Sequence, residues 1–135
     1  MNKIIKCNDL SITIYIEDTD FQGFVYHANY LKFFERARSD FLSSNKISQK
    51  TLRINNLAFV VKKINLNYVS AAELGDDLII KTSVEKKSDA RMIFSQKIIN
   101  SSNKNFVEAT IDVCLINLIT KKPQKFTDDL LLIFE

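Results

Sequence analysis

Two glycines and one proline in 135 residues leave little material for linkers, disordered tails or glycine-rich loops. The chain is therefore expected to consist of regular elements with few tight turns. Cysteine and histidine are equally scarce. Cys7 and Cys114 lie far apart, form no C-x-x-C pair and, with the single histidine His27, make no set of metal ligands. The thiols are expected to be free, in a reducing compartment, and no metal is expected. No stretch approaches about 18 uninterrupted apolar residues. Met1–Leu10 carries two lysines but no apolar run of signal-peptide length. These absences predict a cytoplasmic protein with no integral membrane segment.

What is present fits one globular domain over residues 1–135, with 46% hydrophobic and 26% charged residues. The net charge of +3 comes from basic residues scattered between Lys3 and Lys125, so no arm or stripe is available for nucleic-acid phosphates. A small anionic ligand is easier to accommodate.

Ser11–Ile16 alternates polar with apolar and reads as a first strand. From Tyr30 the period changes: Tyr30, Phe33, Phe34, Ala37 and Phe41 follow helical spacing, with Glu35, Arg36, Ser39 and Asp40 opposite, until Ser43-Ser44-Asn45. Leu31 and Leu42 widen the apolar stripe, which places this helix deep against a sheet. After a polar stretch at 48–56, four segments have strand character: 59–69, 77–86, 91–100 and 106–119. Ile64, Leu66 and Tyr68 alternate with Asn65 and Asn67, giving one greasy and one wet sheet face. Short polar turns suit antiparallel pairing. One antiparallel sheet covered by one helix is an α+β architecture with unpaired strand edges, so dimerisation is expected. Thr127 before Asp128-Asp129 can cap a terminal helical turn.

The segment Glu17-Asp18-Thr19-Asp20-Phe21-Gln22-Gly23-Phe24-Val25-Tyr26-His27-Ala28-Asn29-Tyr30 joins the first strand to the helix and concentrates three carboxylates, the only histidine and one of the two glycines. A loop entering a helix presents free backbone amides where the helix dipole favours negative charge. Acyl transfer needs a group that attacks a carbonyl or activates water, together with donors for the oxyanion. Asp20 can supply the first and the amides near His27 to Asn29 the second, while Gly23 lets backbone approach a ligand. From the residues alone the alternatives stay open: acidic residues before a helix are commonly N-caps, a lone histidine is commonly structural, and a glycine can mean only a turn.

The string Glu-Asp-Thr-Asp-x-x-Gly-x-Val-Tyr-His-Ala-Asn-Tyr-Leu from Glu17 to Leu31, followed by Phe34-Glu35-Arg36-Ala37-Arg38, resembles the 4-hydroxybenzoyl-CoA thioesterase family. Within it, the nearest likeness is to the bacterial acyl-CoA thioesterase group associated with the tol-pal cell-envelope cluster. Asn67-Tyr68 and Ala72 through Leu78 extend the likeness over most of the chain. The resemblance implies a hotdog fold, in which a long antiparallel sheet wraps a central helix and protomers join edge to edge as homodimers that pair into homotetramers. It implies an acyl-CoA substrate and no cofactor, coenzyme A being part of the substrate. Asp20 takes the catalytic aspartate position, and His27 the position whose backbone amide polarises the thioester carbonyl. Gly23, Val25, Tyr26 and Asn29 fall on the substrate-binding wall or its support. Glu17 and Asp18 match the motif in structural roles.

One departure is local. Where relatives often have proline or phenylalanine between the tyrosine and the paired aspartates, this chain has Ser70-Ala71-Ala72-Glu73-Leu74-Gly75, which alters the expected pocket wall. The turn containing Lys87, Ser88 and Arg91 offers cations and a hydroxyl to coenzyme A phosphates from a neighbouring subunit, or is a solvated hairpin tip. Two other functions use the same residue types. One is a hotdog dehydratase or hydratase, with His27 and Asp20 moving protons; the other is a non-catalytic module that binds acyl carrier protein. The intact Glu-Asp-Thr-Asp loop favours hydrolysis.

Overall fold

The alternation of β-branched and polar residues is realised as a single six-stranded sheet whose strands all pair antiparallel. In the computed structural model, which describes residues 3–135, the elements in chain order are β1 (Ile4–Lys6), β2 (Leu10–Thr13), α1 (Asn29–Ser44), α2 (Gln49–Ile54), β3 (Leu57–Tyr68), β4 (Asp77–Lys86), β5 (Arg91–Ile99), β6 (Asn105–Asn117) and α3 (Asp128–Ile133). Met1 and Asn2, which open the stretch read above for a signal sequence and the expected domain, lie outside the described residues. The order across the sheet is β1-β4-β5-β6-β3, and β2 extends the β1 edge along β4. This is the hotdog arrangement, with α1 held against the inner face.

Register explains the greasy and wet faces. Ile80 pairs with Ile98 and Ile98 with Val107, while Val84 pairs with Phe94 and Phe94 with Ile111, so these rows point inward and are buried. The intervening rows Lys81–Lys97–Glu108 and Ser83–Ser95–Thr110 point outward. Tyr30, Phe33, Phe34, Ala37, Phe41 and Leu42 supply the buried stripe of α1, at the spacing read from the sequence.

One polar row interrupts this core. Gln96 is 3% exposed, and its amide donates to the Phe34 carbonyl and to Thr82 Oγ1, each at 3.0 Å. Its Oε1 accepts from Arg38 Nη1 at 3.0 Å. Burial pushes the Arg38 guanidinium below its ordinary pKa, with Glu35 opposing the shift. Gln96 therefore joins the helix to the sheet through bonds that apolar packing alone would not orient.

The structure revises four details. The first strand ends at Thr13 and not at Ile16, because the Asp18 carboxylate accepts the Tyr15 N–H at 2.9 Å and a 3-10 turn at Ile16–Asp18 diverts the chain, leaving Ile16 exposed. A short strand, β1, precedes it and pairs with the far end of β4. The polar stretch at 48–56 folds as α2, capped by Ser48 Oγ on the Thr51 N–H at 3.1 Å and anchored by buried Leu52. In β3 the alternation is present, yet Ile64 is 38% and Tyr68 49% exposed, because β3 is an open edge of the sheet. The terminal turn is α3, capped by Thr127 as its sequence indicates. Cys7 and Cys114 are both free and buried.

Candidate active site

A tight hairpin presents Asp20. Its N–H donates to the Phe24 carbonyl at 2.7 Å, its carbonyl accepts the Gly23 N–H at 3.1 Å, and Thr19 bridges Val25. This is a turn closed by a left-handed residue, and Gly23 at φ +84° is that residue. A Cβ there would meet no atom within 4 Å, so backbone conformation, not crowding, calls for glycine. One carboxylate oxygen of Asp20 accepts the Gln22 N–H at 2.9 Å, which orients the half-buried side chain.

Main-chain bonds from the β3–β4 connection hold the hairpin. Val25 N–H donates to the Ala72 carbonyl at 2.9 Å and Leu74 N–H to the Gly23 carbonyl at 3.0 Å, while the Val25 side chain is buried in the core. Ala72 N–H in turn donates to the buried Tyr30 hydroxyl at 3.0 Å. Burial raises the Tyr30 phenol above its ordinary pKa, and the nearby Tyr68, Asp76 and Asp20 charges act in the same direction.

A second clasp joins the hairpin to the helix. The Asp18 carbonyl accepts both the Tyr26 N–H at 3.0 Å and the Asn29 side-chain amide at 2.9 Å. Asp18 is thus the structural member of the acidic string, through its carbonyl here and its carboxylate on Tyr15. The start of α1 has no side-chain cap, and among the described residues the His27 and Ala28 N–H groups meet no acceptor. The His27 ring is exposed, 4.4 Å from the Tyr26 ring and edge-on to Tyr68 at 6.5 Å between centroids. The site therefore combines an oriented carboxylate with free amide donors at the N-terminus of a 16-residue helix.

Asp20, Gly23, Val25, Tyr26, His27 and Asn29 come together in this way. Lys87, Ser88 and Arg91 do not join them within one chain. They sit at the β4–β5 hairpin, separated from the start of β4 by the length of that strand, roughly 30 Å. Each cation there already has a carboxylate neighbour, Lys87 with Glu85 at 3.6 Å and Arg91 with Asp112 at 3.0 Å. A groove of about 600 Å³ opens around Tyr15, Glu17, Asp18, Phe33 and Arg36, on the chain that leads into the Asp20 hairpin, and is lined by none of Asp20, Gly23, His27 or Asn29. A larger depression of about 700 Å³ lies on the polar sheet face around Lys81, Ser95 and Thr110 and touches none of the hairpin residues. The sequence did not single out the hydroxyls of Tyr30 and Tyr68. Their spacing marks them only as apolar-face residues, and their partners lie more than forty positions away.

The thioesterase-like superfamily model matches residues 14–134. The acyl-CoA thioesterase YbgC of Haemophilus influenzae is 40% identical over 116 residues, covering 85% of both chains. The acyl-CoA thioester hydrolase YbgC of Escherichia coli O6:H1 is 37% identical over 113 residues, covering 84% of both. Among solved structures, the 1,4-dihydroxy-2-naphthoyl-CoA thioesterase Slr0204 from Synechocystis superposes with a TM-score of 0.89 at 19% identity, covering 98% of this chain and 96% of that one, a likeness of fold.

Proposed function

This chain belongs to the thioesterase-like superfamily and is an acyl-CoA thioesterase, and from that premise we propose that Asp20 is its catalytic carboxylate and that the amides at His27 and Ala28 form its oxyanion hole. The observation that carries this reading is the pairing of the oriented Asp20 side chain with two N–H groups that have no acceptor among the described residues. In turnover, Asp20 either attacks the thioester carbonyl or takes a proton from the attacking water. Negative charge then gathers on the carbonyl oxygen, where the amides and the helix dipole stabilise it. The C–S bond breaks as the oxyanion collapses and coenzyme A leaves as its thiolate. When water is the nucleophile the free acid forms directly; when Asp20 is, the acyl–Asp20 anhydride is then hydrolysed by water to the free acid and the regenerated carboxylate. Coenzyme A is substrate, and the reaction as drawn needs no cofactor or metal.

Tyr26 and Asn29 support the wall beside His27, Gly23 and Val25 shape the hairpin from its turn and its buried side, and protomers pair through β3. That edge is 12 residues long with Ile64 and Tyr68 uncovered, whereas the opposite edge is blunted by strands of three and four residues. Pairing also provides the route by which Lys87, Ser88 and Arg91 of a neighbouring subunit reach the coenzyme A phosphates. The small side chains of Ser83, Ser95 and Thr110 on the outer face allow dimers to pack as tetramers. We assign the protein to the cytoplasm and, by its family likeness, to the tol-pal-associated group, with acyl carrier protein as a second possible thioester carrier. No helix among the described residues is long and apolar enough to cross a membrane.

Free-thiol release from acyl-CoA esters of graded chain length and one aryl-CoA tests the assignment. Asp20→Asn is expected to lower kcat by at least about a hundredfold while leaving substrate binding in place. Normal turnover by Asp20→Asn would remove Asp20 from the mechanism. A shifted double bond without thiol release would favour the dehydratase alternative.

A further inference from the structure

The free amides of His27 and Ala28 belong to successive peptide units, and each unit is held by its carbonyl. The Tyr26 carbonyl accepts the Asn29 N–H at 2.8 Å, which fixes the peptide that carries the His27 N–H. The His27 carbonyl accepts the Tyr68 hydroxyl at 2.9 Å, which fixes the peptide that carries the Ala28 N–H. In a trans peptide the N–H points away from the C=O, and the described residues contain no cis peptide bond. A donor on the carbonyl therefore both aims the N–H on the other side of the unit and polarises it. The first anchor is part of the helix start. The second comes from the end of β3, 41 residues further along the chain.

We propose that Tyr68 is a positioning residue for catalysis, aiming the Ala28 amide at the developing oxyanion through the His27 carbonyl. This deepens the thioesterase site proposed above and rests on it. The aromatic frame suits the task. The Tyr68 ring lies 5.9 Å from Tyr30, whose own hydroxyl receives the Ala72 N–H, so the tyrosine is braced against the segment that holds the Asp20 hairpin. A displaced Tyr68 hydroxyl would leave the His27–Ala28 peptide to be oriented by helix geometry alone.

Tyr68→Phe keeps the ring and removes only the hydroxyl. In steady-state thiol release, kcat is expected to fall about tenfold with KM within about twofold, because the anchored donor gains most when charge develops on the carbonyl oxygen. In a ¹H–¹⁵N correlation spectrum of the ligand-free protein, the Ala28 amide is expected to shift while resonances remote from the loop stay in place. A kcat equal to that of wild type, a loss carried by KM, an unmoved Ala28 amide, or spectral change throughout the protein would each overturn the proposal. Failure of the underlying reading looks different: the wild type would release no thiol, or Asp20→Asn would be fully active. An active wild type beside an inactive Asp20→Asn and a fully active Tyr68→Phe would refute the role of Tyr68 alone.

Discussion

Replacing Gln96 with leucine keeps approximate volume and deletes the polar bridge between sheet and helix. Three hydrogen bonds at 3.0 Å are lost: one to Thr82, one to the Phe34 carbonyl and one from the Arg38 guanidinium. Two neutral bonds contribute about 1 kcal/mol each and the charge-assisted one about 2 kcal/mol. The added apolar burial returns about 1 kcal/mol, so Gln96→Leu should be less stable by about 3 kcal/mol. With a urea m-value of about 1.5 kcal/mol/M, the unfolding midpoint should fall by about 2 M. Activity of the folded fraction without urea should stay within about twofold, because the network lies behind the helix and not at its N-terminus. Arg38→Met combined with Gln96→Leu should lose less than the sum of the two single changes, since the double variant leaves no half-buried cation without its acceptor. A midpoint shift below about 0.5 M for Gln96→Leu would refute this account of how α1 is held.

Burial raises the Cys7 thiol from 9.0 to about 12. The unfolded chain therefore loses this proton first, and stability should decline from about pH 9 until the folded thiol titrates near 12, by up to ~1.4 kcal/mol per pH unit. Tyr30, also raised, adds to the decline above its ordinary value of 10.0. Cys7→Ala should flatten the lower part of that slope in urea titrations run at successive pH values, and an unchanged slope would assign the alkaline loss elsewhere. The proposed pairing through β3 predicts that wild type sediments as a dimer or larger and that Ile64→Lys sediments as a monomer, with activity falling in parallel if a neighbouring subunit completes the coenzyme A site. A dimer that survives the charge would exclude β3 as the interface.

The elements packed by strong periodicity were legible from the sequence. The stripe from Tyr30 to Leu42 and the strand character of 77–86 and 106–119 need only a buried face, and these segments form the helix and strands expected of them. Ile14, Tyr15 and Ile16 continue the same alternation but do not continue the strand. There a side-chain cap from Asp18 outweighs the pattern, and capping bonds leave a weaker trace than periodicity. The segment carrying Asp20 and His27 was recognisable by its residues, and its hairpin follows from the glycine. The links that hold it in place were not, because Val25 to Ala72 and Tyr68 to His27 join positions with no local relation. Polar residues at 48–56 concealed a helix for a similar reason: one buried leucine and one serine cap suffice for six residues.

The β3–β4 connection grips the Asp20 hairpin by backbone groups alone, Ala72 carbonyl to Val25 and Leu74 amide to Gly23. Side chains along Ser70–Leu74, apart from that of Ala72, which is buried in the core, are thereby released from the duty of holding Asp20. The exposed side chains of that stretch can then vary without loosening the hairpin beneath them. Proline is barred at position 74, where it would delete the amide bonded to Gly23, and at position 72, where it would delete the amide bonded to the Tyr30 hydroxyl. Surface chemistry and support of the hairpin are in this respect separately adjustable, a mutational freedom built from two main-chain hydrogen bonds.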